Sequence, residues 1–293
     1  MRQKLVNHFA WAWPVAVLLL MIATSQTVRS EEWRIKPAEL TLRAYWQQAG
    51  GKDDITLVVL HGTLAHNRME IIQGLQEVFA ERGLSSLAIN LALGMDARAS
   101  SNYPCAHAHS HKHEDAMAEL DAWVQELTGK GYSRLVVIGH SRGGNQVARY
   151  LKTYKGEAIV AGILIAPMVS NRQPDATESR ILAQSQNHSW LDDVTLLYCN
   201  NARVSSASYR SYYTPNEDFD SLFVAQYVRQ PLLLFAGSED QIVAELPQRF
   251  ATLRAAGRLE HVEYHLLDGA DHFFRDLFLE DVADITEEFL DQL

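Results

Sequence analysis

The chain has 293 residues, 47% hydrophobic and 21% charged, with a formal net charge of −10 at pH 7. That is enough apolar material for one large core, and it excludes a disordered or fibrous chain. The acidic balance argues against nucleic acid or an anionic lipid surface as partner, since both demand compensating Lys and Arg.

In chain order, residues 1–30 come first and differ from the rest. Arg2 and Lys4 form a basic start, residues 10–23 (AWAWPVAVLLLMIA) are an apolar run interrupted by Pro14, and Ser25 and Ser30 close two small-residue cleavage options. This is the layout of a secretory signal peptide, and the run is shorter than the ~20 residues that span a bilayer. An exported protein, periplasmic or secreted, is therefore expected to begin near Glu31 with no membrane span left; an uncleaved anchor is the alternative. Cleavage removes Arg2, Lys4 and Arg29 and no acid, which moves the net charge from −10 to −13.

From Arg34 onward, apolar runs of strand length alternate with helical spacing. ITLVVLHG (55–62) is too continuous for a half-exposed strand and suits a buried parallel one. Met69, Ile72, Leu75, Gln76 and Phe79 recur at helical spacing up to Gly83. SSLAINL (85–91) predicts the next strand, and Met117, Leu120, Trp123, Val124 and Leu127 an amphipathic helix stopped by Gly129. RLVVIGHS (134–141) predicts a third buried strand, followed by a helix carrying Val147, Ala148, Tyr150 and Leu151. IVAGILIAP (159–167) and PLLLFAGS (231–238) predict two more; HVEYHLLDG (261–269) alternates and ends the series before a closing helix over 273–293. Strand and helix in repetition predict a parallel sheet covered on both faces. Residues 168–230 break the rhythm: they are polar, show weak helical stretches near 178–187 and 217–229, and are too long for a simple loop. They predict an inserted cap.

At the end of the third strand, Gly139-His140-Ser141-Arg142-Gly143 matches G-x-S-x-G between a buried strand and a helix, the context that a nucleophile elbow requires. A serine hydroxyl needs a base, and the base needs an orienting acid. Asp240 lies in the loop leaving PLLLFAG, with Glu239 as an alternative acid; His272 lies just past YHLLDG, whereas His261 and His265 fall inside the strand pattern. Ser141, Asp240 and His272 thus fall at C-terminal strand ends, where open α/β sheets place their sites.

Through LHGT (60–63), GHSRGG (139–144), GSEDQIV (237–243) and GADHFF (269–274), the chain resembles the α/β-hydrolase superfamily over most of residues 34–293. The likeness is to serine esterases and lipases of the exported bacterial type. The resemblance implies an α/β-hydrolase fold, a mostly parallel sheet flanked by helices with the cap inserted. It implies Ser141 as nucleophile, His272 as base and Asp240 as acid. The oxyanion hole would use backbone N–H groups of Arg142 and of Thr63 or its neighbour. The implied reaction is hydrolysis of an ester or related acyl bond of a small-molecule substrate through an acyl-serine, without a cofactor. A peptidase, a thioesterase and an acyltransferase use the same parts, and a non-catalytic or metal-binding envelope protein is the alternative from a different class.

CAHAHSHKHED (105–115) places His107, His109, His111 and His113 at alternate positions. If extended, they would share one face and could chelate a divalent ion, with His66 as a further ligand. If Ser110 instead caps a helix beginning at His111, His111 and His113 point to different sides. The run also lacks the separate second half usual in structural zinc sites. The preferred reading is a polar loop and helix start near the active-site mouth, with no metal. A proton-sensitive substrate contact is a third reading. Cys105 and Cys199 could form a disulfide in an oxidising compartment; two buried free thiols are the alternative.

Overall fold

The computed structural model describes residues 29–170 and 173–293. The leader expected over residues 1–30 falls mainly on residues 1–28 and lies outside the described ones. Two strands come first, β1 (Arg29–Ile35) and β2 (Leu42–Gln48). They are followed by β3 (Thr56–Leu60), helix α1 (Glu70–Glu81), β4 (Ser85–Asn90), α2 (Asp115–Gly129), β5 (Leu135–His140), α3 (Arg142–Thr153) and β6 (Ile159–Ile165). An insertion then carries α4 (Ala176–Gln184), β7 (Trp190–Leu196), β8 (Cys199–Ser205), α5 (Ser206–Tyr213), a 3-10 turn (Glu217–Phe219) and α6 (Ser221–Ala225). The chain closes with β9 (Leu232–Gly237), α7 (Leu246–Ala255), β10 (Val262–Leu267) and α8 (Leu277–Leu290).

The main sheet has eight strands in the order β1-β2-β4-β3-β5-β6-β9-β10. Only the β1–β2 and β2–β4 pairs are antiparallel; the remaining neighbours run parallel. Every residue of β3, β4, β5 and β9 is buried, which is why these segments read as unbroken apolar runs. β1 (RSEEWRI) alternates exposed and half-buried positions at the sheet edge, so it lacks that signature. On the flanks α1 packs against α8, and α2 against α3.

Three boundaries differ from the sequence expectation. α8 starts at Leu277 rather than near 273, because Phe274 (φ 47°) and Asp276 (φ 56°) adopt left-handed backbone that breaks a helix. The insertion contains a two-stranded sheet, β7 with β8, that its polar sequence hides. The helix expected from His111 begins only at Asp115, and Ser110 does not cap it. The backbone at 109 is taken by a different partner: His109 N–H donates to Arg203 O (2.8 Å), and Ser205 N–H donates to His109 O (2.8 Å). The histidine run is therefore bridged to β8 at His109 instead of opening a helix.

Candidate active site

Ser141 sits between the last residue of β5 and the first of α3, at φ 56° and ψ −121°. Such backbone costs a non-glycine residue on the order of 1–3 kcal/mol and persists only where surroundings enforce it. Here Ser141 N–H donates to Ile165 O (2.9 Å), while its carbonyl accepts from the N–H of Gly144 (3.0 Å) and Met168 (3.1 Å). A Cβ on Gly139 would lie 2.3 Å from Gly143 O, and one on Gly143 would lie 2.5 Å from His61 O. Both motif glycines are thus demanded by backbone approaching backbone.

The loop after β3 reaches the serine closely, since a Cβ on Gly62 would stand 3.2 Å from Ser141 Cβ. His61 holds that loop. Its Nδ1–H donates to Gly62 O (2.9 Å) and its Nε2 faces Leu91 N–H (3.2 Å) and Arg98 Nη2 (3.3 Å). Burial, reinforced by the Arg98 charge, pushes the imidazole down to about 3, so it stays neutral. Arg98 is 4% exposed and also donates to Leu91 O, Ser101 O, Ala65 O and Asn90 Oδ1. It knits the loop after β3 to the loop after β4. Sequence reasoning missed it, because a single arginine in a polar loop carries no local signal of burial.

Asp240 leaves β9 and His272 follows β10. Asp240 Oδ2 accepts from His272 Nδ1–H at 2.7 Å, and Oδ1 accepts from the N–H of Ile242 (2.7 Å) and Val243 (3.0 Å). The two side chains are 2% and 5% exposed. Burial alone would raise the Asp240 carboxyl, but the His272 and backbone hydrogen bonds outweigh it and hold the pKa below the ordinary value. His140 adds a positioning contact: burial lowers it to about 4, and its neutral Nε2–H donates to His272 O at 2.8 Å. The alternatives lie elsewhere. Glu239 is exposed, His265 bonds Glu263, and His261 bonds Ala225 O.

Ser141, His272, Thr63 and Arg142 line one cavity of about 650 Å³. The insertion contributes much of its wall through Tyr198, Tyr212, Tyr213 and Phe219, with Phe273 from the main body. Arg142 Nε donates to Thr63 Oγ1 (3.1 Å), and its guanidinium stands 5.5 Å from the Tyr212 ring centre.

The histidine run is a loop that leads into α2 at Asp115, as expected, but its second to fourth imidazoles are buried rather than turned to solvent. His109, His111 and His113 are 0%, 1% and 0% exposed, while His107 is exposed. His109 Nδ1 faces His111 Nε2 at 3.1 Å, His111 Nδ1 faces Tyr212 OH at 2.8 Å, and Arg149 donates to His113 Nδ1 at 2.6 Å. Burial lowers all three imidazoles, His111 to about 3, and so favours their neutral forms. His66 is apart from them, accepting from Arg68 N–H (3.1 Å). Among the described residues no group of three or more His, Cys, Asp or Glu side chains is arranged to hold a metal. Cys105, at the head of the run, is disulfide-bonded to Cys199 of β8 across 94 residues, with Cα atoms 5.1 Å apart.

Fold and site geometry together define an α/β protein whose candidate centre lies at the C-terminal ends of parallel strands. The chain belongs to the alpha/beta hydrolase family, whose pattern matches residues 57–288. Its fold is similar to that of Est1E from Butyrivibrio proteoclasticus, at 17% identity and TM-score 0.62, covering 89% of this chain and 98% of that one. It is similar to the Pyrococcus furiosus esterase Pf2001, at 18% identity and TM-score 0.58, covering 91% and 92%. A monoacylglycerol lipase of Paleococcus ferrophilus aligns at 18% identity and TM-score 0.60, covering 85% of this chain and 98% of that one. None of the curated proteins matches the sequence significantly. No helix among the described residues is long and apolar enough to cross a membrane.

Proposed function

We propose that the protein is an exported serine hydrolase that cleaves an ester or related acyl bond through an acyl-Ser141 intermediate. One observation carries the reading: a serine in strained backbone lines the same cavity as His272, whose ring is hydrogen-bonded to buried Asp240 behind it. Ser141 Oγ attacks the substrate carbonyl carbon while His272 Nε2 takes the hydroxyl proton. Asp240 keeps Nδ1 protonated and stabilises the imidazolium. The oxyanion of the tetrahedral intermediate is held by backbone N–H groups of Arg142 and Thr63, worth ~3 kcal/mol per donor. The alcohol departs with the proton from His272, and water repeats the sequence on the acyl-serine, restoring Ser141. No step calls for a cofactor.

The residues 168–230 serve as a cap in this reading, since they wall the cavity. The names of two structural relatives, an esterase and a monoacylglycerol lipase, support the acyl-ester class. Export draws support from the leader-like residues 1–30 and from a cystine that an oxidising compartment preserves. The decisive experiment treats the purified protein with a serine-reactive fluorophosphonate and maps the label. Label on Ser141, and loss of short-ester hydrolysis in a folded Ser141→Ala variant, is expected. A folded protein unlabelled at Ser141 would remove the assignment.

A further inference from the structure

Arg142 is the first residue of α3 and follows the candidate nucleophile directly. It lines both the 650 Å³ cavity and a neighbouring one of about 340 Å³. Its Nε is occupied by Thr63 Oγ1, but Nη1 and Nη2 have no hydrogen-bond partner among the described residues. Burial disfavours its charge, and the neighbouring side chains Tyr212 and Tyr213 are aromatic rather than acidic.

Other shielded arginines of this chain are satisfied. Arg82 pairs with Glu280 and Asp284, Arg249 with Asp220, and Arg98 donates to four oxygens. Glu245 shares the smaller cavity with Arg142 but forms no ion pair with it, so in a chain with net charge −10 this cation has no carboxylate bonded to it among the described residues. Arg142 is half-buried at the cavity wall, where an opposite charge is attracted more strongly than in open water. Among the described residues the larger cavity has no Asp or Glu in its lining, and Arg142 is the one permanently charged side chain there. The free Nη pair presents two parallel donors, the geometry that a carboxylate fills bidentately.

We propose that Arg142 is a specificity-determining residue that binds a carboxylate of the substrate, so that the preferred substrates are esters carrying a carboxylate close to the scissile bond. The aromatic wall takes the apolar body of such a substrate, and Arg142 takes its charged end. This rests on the serine-hydrolase reading and names its substrate class.

The test compares matched ester pairs that differ by one carboxylate. For the acyl side the pair is mono-p-nitrophenyl glutarate against p-nitrophenyl pentanoate; for the alcohol side it is 4-butyryloxybenzoate against phenyl butyrate. In one of these arms the charged ester should show at least about tenfold higher kcat/KM, carried by KM. Arg142→Gln should bring that ratio near one, and Arg142→Lys should retain part of it. Equal or lower kcat/KM for the charged member in both arms, in the wild-type protein, overturns the proposal without reference to any variant.

A second measurement separates this idea from the hydrolase reading. Calorimetric titration of glutarate into folded Ser141→Ala protein should show binding that Arg142→Gln abolishes. If Ser141 takes no fluorophosphonate label but glutarate binding depends on Arg142, the hydrolase reading falls and the anion site stands. If the label maps to Ser141 and neither glutarate binding nor ester preference appears, the anion site falls alone.

Discussion

At the scale of single residues, the site rests on groups whose conformation is enforced rather than preferred. Asp240 accepts three hydrogen bonds, one of which fixes the His272 tautomer. Asp240→Asn keeps the shape but turns a donor toward Nδ1, so kcat on p-nitrophenyl butyrate should fall about 10³–10⁴-fold with KM little changed. A loss below tenfold would take Asp240 out of the relay. Gly143 is limited by backbone, because a Cβ there meets His61 O at 2.5 Å. Gly143→Ala must move the loop after β3 or the start of α3, and a destabilisation of about 2 kcal/mol is expected in urea unfolding. An unshifted midpoint would show that the contact can be relieved cheaply. The placement of Ser141, Asp240 and His272 just past β5, β9 and β10 was legible in the sequence because each follows a local pattern, a strand end plus a turn. Arg98 was not, since its burial results from two loops that are far apart along the chain until β3 and β4 pair.

Among elements, the informative case is the strand-like run from His107 to His113. Its alternation reads as chelating geometry, yet His109 is bridged to β8 by its backbone while His111 and His113 are bonded by α5. Ser208 Oγ donates to His111 O at 2.5 Å, and His113 N–H donates to Ser211 Oγ at 3.1 Å. Ser208→Ala leaves the buried His111 carbonyl without this donor, and about 1–2 kcal/mol of stability should be lost in denaturant titration. A variant as stable as the parent would mean that water replaces the hydroxyl. Imidazole serves here as a compact neutral group that satisfies polar neighbours under the insertion. The β7–β8 hairpin escaped sequence reading for a related reason. WLDDVTL and CNNARVS lack strict alternation, and left-handed Asp193 and Asn201 interrupt the register.

For the whole molecule, one covalent link and one set of buried bases govern response to conditions. The Cys105–Cys199 bond closes a long loop, and in the chain-entropy model such closure is worth ~4–5 kcal/mol. Reduction, or Cys199→Ser, should lower Tm and loosen the insertion first, seen as faster proteolysis within residues 168–230. Equal Tm with and without reductant would contradict this. Acid is the second lever. His61, His111 and His140 have folded values of about 3, 3 and 4, against 6.5 for the ordinary group. The unfolded chain therefore binds protons first as pH falls, so stability present above pH 6.5 is lost progressively between pH 6.5 and about 3–4. Glu119 opposes the trend: burial raises it to about 7, so its ionisation costs stability as pH rises from 4.5 to 7. With three groups against one, Tm should drop by several degrees between pH 7.5 and 5, measured by calorimetry. A flat profile would show that these imidazoles are not held neutral.

The amino-acid sequence by itself determined the parallel sheet, the elbow and the chain order of serine, acid and histidine. Each of these is written in local information: continuous apolar runs for strands buried on both faces, glycines where backbone must pass close, and turn residues at strand ends. Only the tertiary structure decided the antiparallel strands β1 and β2, the hairpin of the insertion, the burial of Arg98 and the place of Arg142 on the cavity wall. It also decided that the histidine run is tied to β8 and α5 instead of opening a helix. The physical reason is common to all of these. Polar side chains declare their role only through partners brought near by folding, and here those partners come from the far side of the sheet or from the insertion.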